Sequence, residues 1–167
     1  MPEESFDEFV HASLPMLSRY ANALTGSAHA GEDLVQDTLV KVARAWRRIK
    51  IDGNPAAYAR KVMLHTYLSA WRGLLRRPRT VPLSADWAGP DEYPLVDSRD
   101  LLRRALVGLP PAQRAVLVLS YLDDVADDDI AALIGRRPAT VRSLRQRGLA
   151  TLRRQFVREA QGSSDER

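Results

Sequence analysis

Apolar residues recur along this chain at steps of three and four, the spacing that gathers them on one face of an α-helix. Phe6, Phe9, Val10, Leu14, Leu17, Tyr20, Ala21 and Leu24 make a first stripe, which Gly26 closes and in which Pro15 predicts a bend or an interruption. Leu34, Val35, Thr38, Leu39, Val42, Ala45, Trp46 and Ile49 make a second. A third helix opens at Asn54-Pro55, a capping residue followed by proline at the first helical position, and runs to about Gly73 with Leu64, Tyr67 and Trp71 on its inner face. Later, Ser98 caps a helix through Leu109, Pro110-Pro111 breaks it, and Pro111 to Leu122 forms the next. No strand pattern or internal repeat competes, so an all-α fold is expected.

The segment Asp127 to Arg154 reads as a helix, a turn containing glycine, and a second helix loaded with arginine, the form a helix-turn-helix DNA reader takes. Ile130, Ala131, Leu133 and Ile134 supply the first helix's stripe, Gly135 suits its left-handed end, and Pro138 suits the first turn of the second. Val141, Leu144, Gly148 and Leu152 are expected to share the face that packs on that first helix. Arg142, Ser143, Gln146 and Arg147 point the other way. Arg donates two hydrogen bonds to guanine, Gln pairs with adenine and Ser is adaptable, so these side chains fit a base edge.

Charge is aimed more than it is abundant. The formal net charge is only +4, yet residues 136 to 158 hold eight Arg and no Asp or Glu, while residues 123 to 129 hold five Asp. Those aspartates complement the positive end of the helix they open, which accounts for them without a metal; the ligand spacing of a calcium loop is missing. Between the two halves, Thr80 to Ser98 carries Pro82, Pro90 and Pro94, no Lys or Arg, and the acids Asp86, Asp91, Glu92 and Asp97. Proline at that density reads as a linker. The expected plan is therefore two small helical domains, at residues 1–77 and 99–158, joined by a flexible linker at 78–98, with 159–167 a disordered tail.

Composition narrows the function classes. The chain has 167 residues and no Cys, which removes disulfides, thiolate metal sites and a cysteine nucleophile and fits a reducing cytoplasm. No apolar run approaches the roughly 20 residues that span a bilayer, and the acidic start is no signal peptide, so a cytoplasmic protein with no membrane insertion is expected. His11, His29 and His65 are isolated and no phosphate-binding glycine loop occurs, so neither enzyme chemistry, a cofactor nor a metal is expected.

Gly31-Glu32-Asp33-Leu34-Val35-Gln36-Asp37-Thr38-Leu39 resembles the signature of bacterial RNA polymerase sigma factors of the extracytoplasmic-function group of the sigma-70 family. Domain order, linker position, the Asn-Pro helix start, Leu-Pro-Pro-x-Gln-Arg at Leu109 to Arg114 and Thr140-Val141-Arg142-Ser143 extend the resemblance over nearly the whole chain. It implies a region 2-like helical bundle and a region 4-like helix-turn-helix. It also implies binding to core RNA polymerase, through the β′ clamp helices and the β flap, and to promoter DNA, and it admits an anti-sigma protein as a further partner. The positions it assigns to polymerase are Asp33, Gln36, Asp37, Val40 and Lys41. The third helix and the loop before it are implied to open and read the −10 element, through Lys50, Asp52, Asn54, Tyr58, Lys61, His65 and Arg72. The C-terminal reader is implied to bind the −35 element through Arg136, Arg137, Thr140, Arg142, Ser143, Arg145, Gln146 and Arg147. On a helical projection Tyr58, Lys61, His65 and Arg72 cluster, joining an aromatic platform to cations as single-stranded bases require.

Departures from the family pattern matter as much. His65 stands where many members have Asn, which leaves the recognised −10 base open. Ala126 occupies the usual Ser cap, so Asp124 or Asp127 is expected to cap instead. Leu144-Arg145 replaces the more frequent Arg followed by an apolar residue, placing Arg145 at the edge of the buried stripe as a phosphate contact. Two other classes remain at this point: a helix-turn-helix regulator, which binds its operator alone as a dimer, and a scaffold that binds no DNA.

Overall fold

The computed structural model describes residues 5–76 and 98–162, the side chains of 50–52, 72–76 and 98–100 excepted. Every regular element among them is a helix, and the chain divides into two compact units, residues 1–72 and 73–167. The expected linker acids Asp86, Asp91, Glu92 and Asp97 lie outside the described residues.

In the first unit α1 spans Phe6–Thr25, α2 Ala28–Asp52 and α3 Pro55–Arg76. The N-terminus of α1 is closed by a reciprocal cap: the Glu8 amide donates to Ser5 Oγ at 3.2 Å, and the Ser5 amide to the Glu8 carboxylate at 2.7 Å. That hydrogen bond from the Ser5 backbone holds the Glu8 carboxyl below its ordinary range. At the other end Gly26 takes φ 72° and its amide bonds Asn22 O. Of the bend or interruption expected at Pro15, the interruption does not occur. The helix runs through it, with Pro15 on the solvent face, where a lost backbone bond is least costly.

Phe9, Leu17, Tyr20, Ala21 and Leu24 of the first stripe are buried as expected, and the difference is at one position. Ser13 is buried and Leu14 is 42% exposed, because Phe9, Ser13, Leu17, Tyr20 and Leu24 follow steps of four, four, three and four onto α2. The Phe6 and Phe9 rings meet Trp46 near the end of α2, at centroid distances of 5.3 and 5.1 Å. Gly31, near the start of α2, lies against Asn22 near the end of α1. The two helices are therefore antiparallel. Thr38, wholly buried in the second stripe, donates its hydroxyl to Leu34 O at 2.7 Å, so a polar group enters the core already satisfied.

Asn54 caps α3 as its sequence indicates, its Oδ1 accepting from the Ala57 amide at 3.0 Å. Because α2 continues to Asp52 and Gly53 ends it at φ 81°, Lys50 and Asp52 belong to the last helical turn; only Gly53 and Asn54 remain between α2 and α3. Ala59, Met63, Leu64, Tyr67 and Leu68 are buried along α3, with Trp71 half-buried against Tyr67.

The second unit contains α4 (Ser98–Val107), α5 (Pro111–Leu122), α6 (Asp127–Ile134) and α7 (Pro138–Gly162). Its core gathers Ala105, Leu109, Leu117 and Leu152, with Leu106, Leu149 and Phe156 against them. Arg114, only 3% exposed, donates from Nε to Leu106 O at 2.7 Å and from Nη2 to Val107 O at 2.7 Å and Leu109 O at 3.0 Å. One guanidinium thus gathers carbonyls at and just beyond the C-terminal end of α4, where helical partners run out, and shares Leu106 O with the Leu109 amide. This explains the arginine of the Leu109–Arg114 motif. α7 continues helically to Gly162, so 159–162, expected as tail, extend the last helix.

Candidate nucleic-acid interfaces

Gly135 ends α6 at φ 66°, its amide bonding Ala131 O, and Pro138 opens α7 three residues beyond. A side chain at Gly135 would be strained by that left-handed backbone, so the tight turn selects glycine. Neither Asp124 nor Asp127 caps α6: Ala126 is the N-cap and makes no side-chain bond. Asp127 is engaged elsewhere.

The inward side of α7 carries the expected stripe and one residue more. Val141, Gly148 and Leu152 are buried and Leu144 is half-buried, and Arg145, one helical turn after Val141, is half-buried beside it. Its guanidinium makes a two-bond fork with the Asp127 carboxylate, Nη1 to Oδ1 and Nη2 to Oδ2, the latter at 2.9 Å. Both side chains are about three-quarters buried, with 24% and 26% exposure. The Arg145 hydrogen bonds hold the Asp127 carboxyl below its ordinary range, and the charges of Arg145 and Arg142 act in the same direction. The same pairing raises Arg145. Gly148 lies not on α6 but against α5: a Cβ there would come within 3.0 Å of Leu117 Cδ1.

With Arg145 turned inward, the outward face of α7 carries Arg142, Gln146 and Arg147, all exposed, and Arg136 and Arg137 are exposed in the turn. Ser143 and Thr140 are half-buried at its margins. This is a cationic surface with one amide and no acid, suited to the floor and walls of a DNA groove.

On the first unit, Tyr58, Lys61 and His65 of α3 line an open cavity of about 300 Å³. Lys41 of α2, grouped by sequence with the polymerase positions, lines the same cavity and donates from Nζ to Thr66 Oγ1 at 2.8 Å. Thr66 in turn donates to Val62 O. The cavity therefore has cations from two helices around one half-buried aromatic ring, and Lys41 is the member that sequence reasoning assigned to a different surface. Three of the other expected residues, Lys50, Asp52 and Arg72, have side chains outside the described set.

Asp33, Gln36, Asp37 and Val40 are exposed on α2, with Val40 49% accessible. An exposed valine among carboxylates on a helix whose opposite side is core leaves an apolar step free for a partner. His29 Nε2 stands 3.9 Å from Asp33 at the edge of this face. A groove between α1 and α2, lined by Leu14, Asn22, Gly31, Gln36 and Leu39, borders it. Periodicity hid that groove by counting Leu14 as core.

Comparison with known proteins matches both units in order. Residues 9–77 match the Sigma-70 region 2 family and residues 99–152 the Sigma-70, region 4 family. The chain is 32% identical over 158 residues to the RNA polymerase sigma-E factor of Streptomyces coelicolor, covering 91% of this chain and 86% of that one. It is 30% identical to the ECF RNA polymerase sigma factor ShbA of Streptomyces griseus subsp. griseus, with 83% and 81% covered. In fold it is similar to the sigma factor RpoE solved with the anti-sigma factor NepR from Bartonella quintana, with a TM-score of 0.67 at 24% identity over 90% of this chain and 96% of that one. The two family matches in their order, and relatives aligned over most of both lengths, establish that the chain belongs to the extracytoplasmic-function group of sigma-70 family RNA polymerase sigma factors.

Proposed function

We propose that α7 reads the −35 element by laying its Arg142, Gln146 and Arg147 face in the major groove, with Arg136 and Arg137 on the flanking phosphates. The observation that carries this reading is the division of α7 into a buried side, Val141, Gly148 and Leu152, and an outward side on which Arg142, Gln146 and Arg147 offer groups that suit base edges and phosphates. The cavity of Tyr58, Lys61, His65 and Lys41 takes the unpaired −10 strand: the ring offers a stacking face and the cations follow the phosphates. Core polymerase docks on the exposed face of α2, through Asp33, Gln36, Asp37 and Val40. The chain supplies recognition and strand opening, and the polymerase supplies the chemistry. The groove beside the α2 face is the place where a regulator of the anti-sigma class would compete with polymerase.

The test is transcription by core polymerase reconstituted with this protein on a randomised promoter library. Arg142→Ala or Arg147→Ala is expected to relax preference at one −35 position, by roughly 1–3 kcal/mol for a bidentate guanine contact. Arg136→Ala is expected to weaken all sequences alike and to flatten the salt dependence by about one unit of slope. Unchanged base preference in both Arg142→Ala and Arg147→Ala rejects the groove assignment.

A further inference from the structure

Within the second unit Asp127 is an oddly used residue. It stands in the first turn of α6, where a carboxylate is favoured by the helix dipole, beside an N-cap, Ala126, that makes no capping bond. Instead of capping, it reaches across to α7 and takes both arms of Arg145. A forked pair has directional as well as electrostatic content, since a planar guanidinium and a planar carboxylate must align to form both bonds. Arg145 follows Val141 by one helical turn and precedes Gly148 by three residues, so the fork lies on the buried side of the helix, between positions that pack on the rest of the unit. Arg142, one turn earlier and exposed, is near enough to Asp127 for its charge to favour the ionised carboxylate.

We propose that the Asp127–Arg145 pair is a positioning device that sets the rotation of α7 on α6, and with it the direction in which Arg142 and Gln146 meet the bases, so that Arg145 governs promoter specificity without touching DNA. This rests on the reading of α7 as the −35 reader. The Asp127 carboxylate takes two of the five guanidinium N–H donors of Arg145, aims its fork inward and neutralises its charge locally, all of which weaken it as a phosphate contact. Rotating α7 by even a small angle would move the tips of the long Arg142 and Gln146 side chains relative to donors and acceptors that discriminate bases only at hydrogen-bonding distance.

The experiment uses the full protein in the reconstituted holoenzyme, with a −35 library, a salt titration and thermal unfolding of each variant. Asp127→Ala, Arg145→Ala, Arg145→Lys and the Asp127→Ala/Arg145→Ala double variant are compared, with Arg142→Ala as reference. The proposal expects the −35 position read by Arg142 to lose about fivefold in discrimination in each single variant, at temperatures where the variant is folded. The double variant should lose no more than either single, because one coupled contact is removed in all three. Arg145→Ala should leave the salt slope unchanged, and Arg145→Lys should fail to restore discrimination, since an ammonium keeps the charge and loses the fork. A salt slope lower by about one unit in Arg145→Ala, restored in Arg145→Lys, would make Arg145 a phosphate contact and overturn the proposal. Undiminished discrimination in folded Asp127→Ala overturns it too. If Arg142→Ala itself leaves every −35 position unchanged, the groove assignment falls first and this proposal with it; if Arg142→Ala responds and the pair variants do not, only the positioning role falls.

Discussion

A single carboxylate can tie stability to pH when folding changes its affinity for a proton. Asp127 does so here, since its carboxyl is held below the ordinary range by the Arg145 fork. A group with a depressed folded pKa binds its proton more readily in the unfolded chain, so its contribution is complete above the unfolded value of about 4 and is lost as pH falls through the folded value. The stability advantage of the native protein over Asp127→Asn is therefore expected to be constant from pH 5 to 7 and to shrink steadily below about pH 4. Urea unfolding of both proteins across that range measures it, and a difference independent of pH would mean the carboxylate's charge is not what matters. This residue also marks a limit of sequence reading. Asp in the first turn of a helix has a ready local explanation, and nothing in the spacing of Asp127 and Arg145, 18 residues apart, announces a fork. The stripe itself was legible: steps of three, four and four from Val141 find Leu144, Gly148 and Leu152, but apolar periodicity does not count a charged residue such as Arg145, which is half-buried beside them.

Helix positions and ends were legible wherever the backbone's own chemistry is decisive. Gly26 and Gly135 adopt the left-handed conformation their positions suggested, Asn54 caps α3, and Pro138 opens α7. What periodicity misses is the partner of each face. Leu14 fits the apolar stripe of α1 and is exposed, and Lys41, which the family resemblance assigns to polymerase, also bonds Thr66 across to α3. Neither is visible in one helix's own sequence, because burial and pairing depend on where a second helix lies. The α2 helix shows the consequence for function: its inner side binds α1, its outer side presents Asp33, Gln36, Asp37 and Val40, and Lys41 at the margin faces α3. Asp37→Lys, a charge reversal at an exposed site, is expected to weaken binding to core polymerase at least tenfold while leaving the melting temperature within a degree or two, because surface changes away from caps and core cost little. Fluorescence anisotropy of labelled protein titrated with core enzyme, beside a thermal melt, distinguishes this from unfolding. Undiminished affinity would remove Asp37 from the docking surface.

At the scale of the whole chain, two cores divide the labour. The first unit holds the aromatic cluster of Phe6, Phe9 and Trp46 and both the proposed polymerase face and the proposed −10 cavity; the second holds its own core around Leu117 and Leu152 and the proposed −35 face. Each of these clusters draws its residues from a single unit, so each unit is expected to keep its fold when the chain between them is cut. Function is different, because the covalent connection makes the second binding event intramolecular and gives the −35 reader a high effective concentration once the first unit is docked. A protease site inserted between Thr80 and Ser98, in the stretch carrying Pro82, Pro90 and Pro94, allows the connection to be cut after folding. Cleavage is expected to leave both thermal transitions in place and to leave binding of the first unit to core polymerase unchanged, while transcription from promoters that need a −35 element falls by about 100-fold or more at equal protein concentration. Raising the concentration of the free second unit should recover part of that loss, since mass action then replaces the tether. Full activity after cleavage, at concentrations where the intact protein is limiting, would mean that polymerase itself holds the second unit and that the connection contributes nothing to promoter capture.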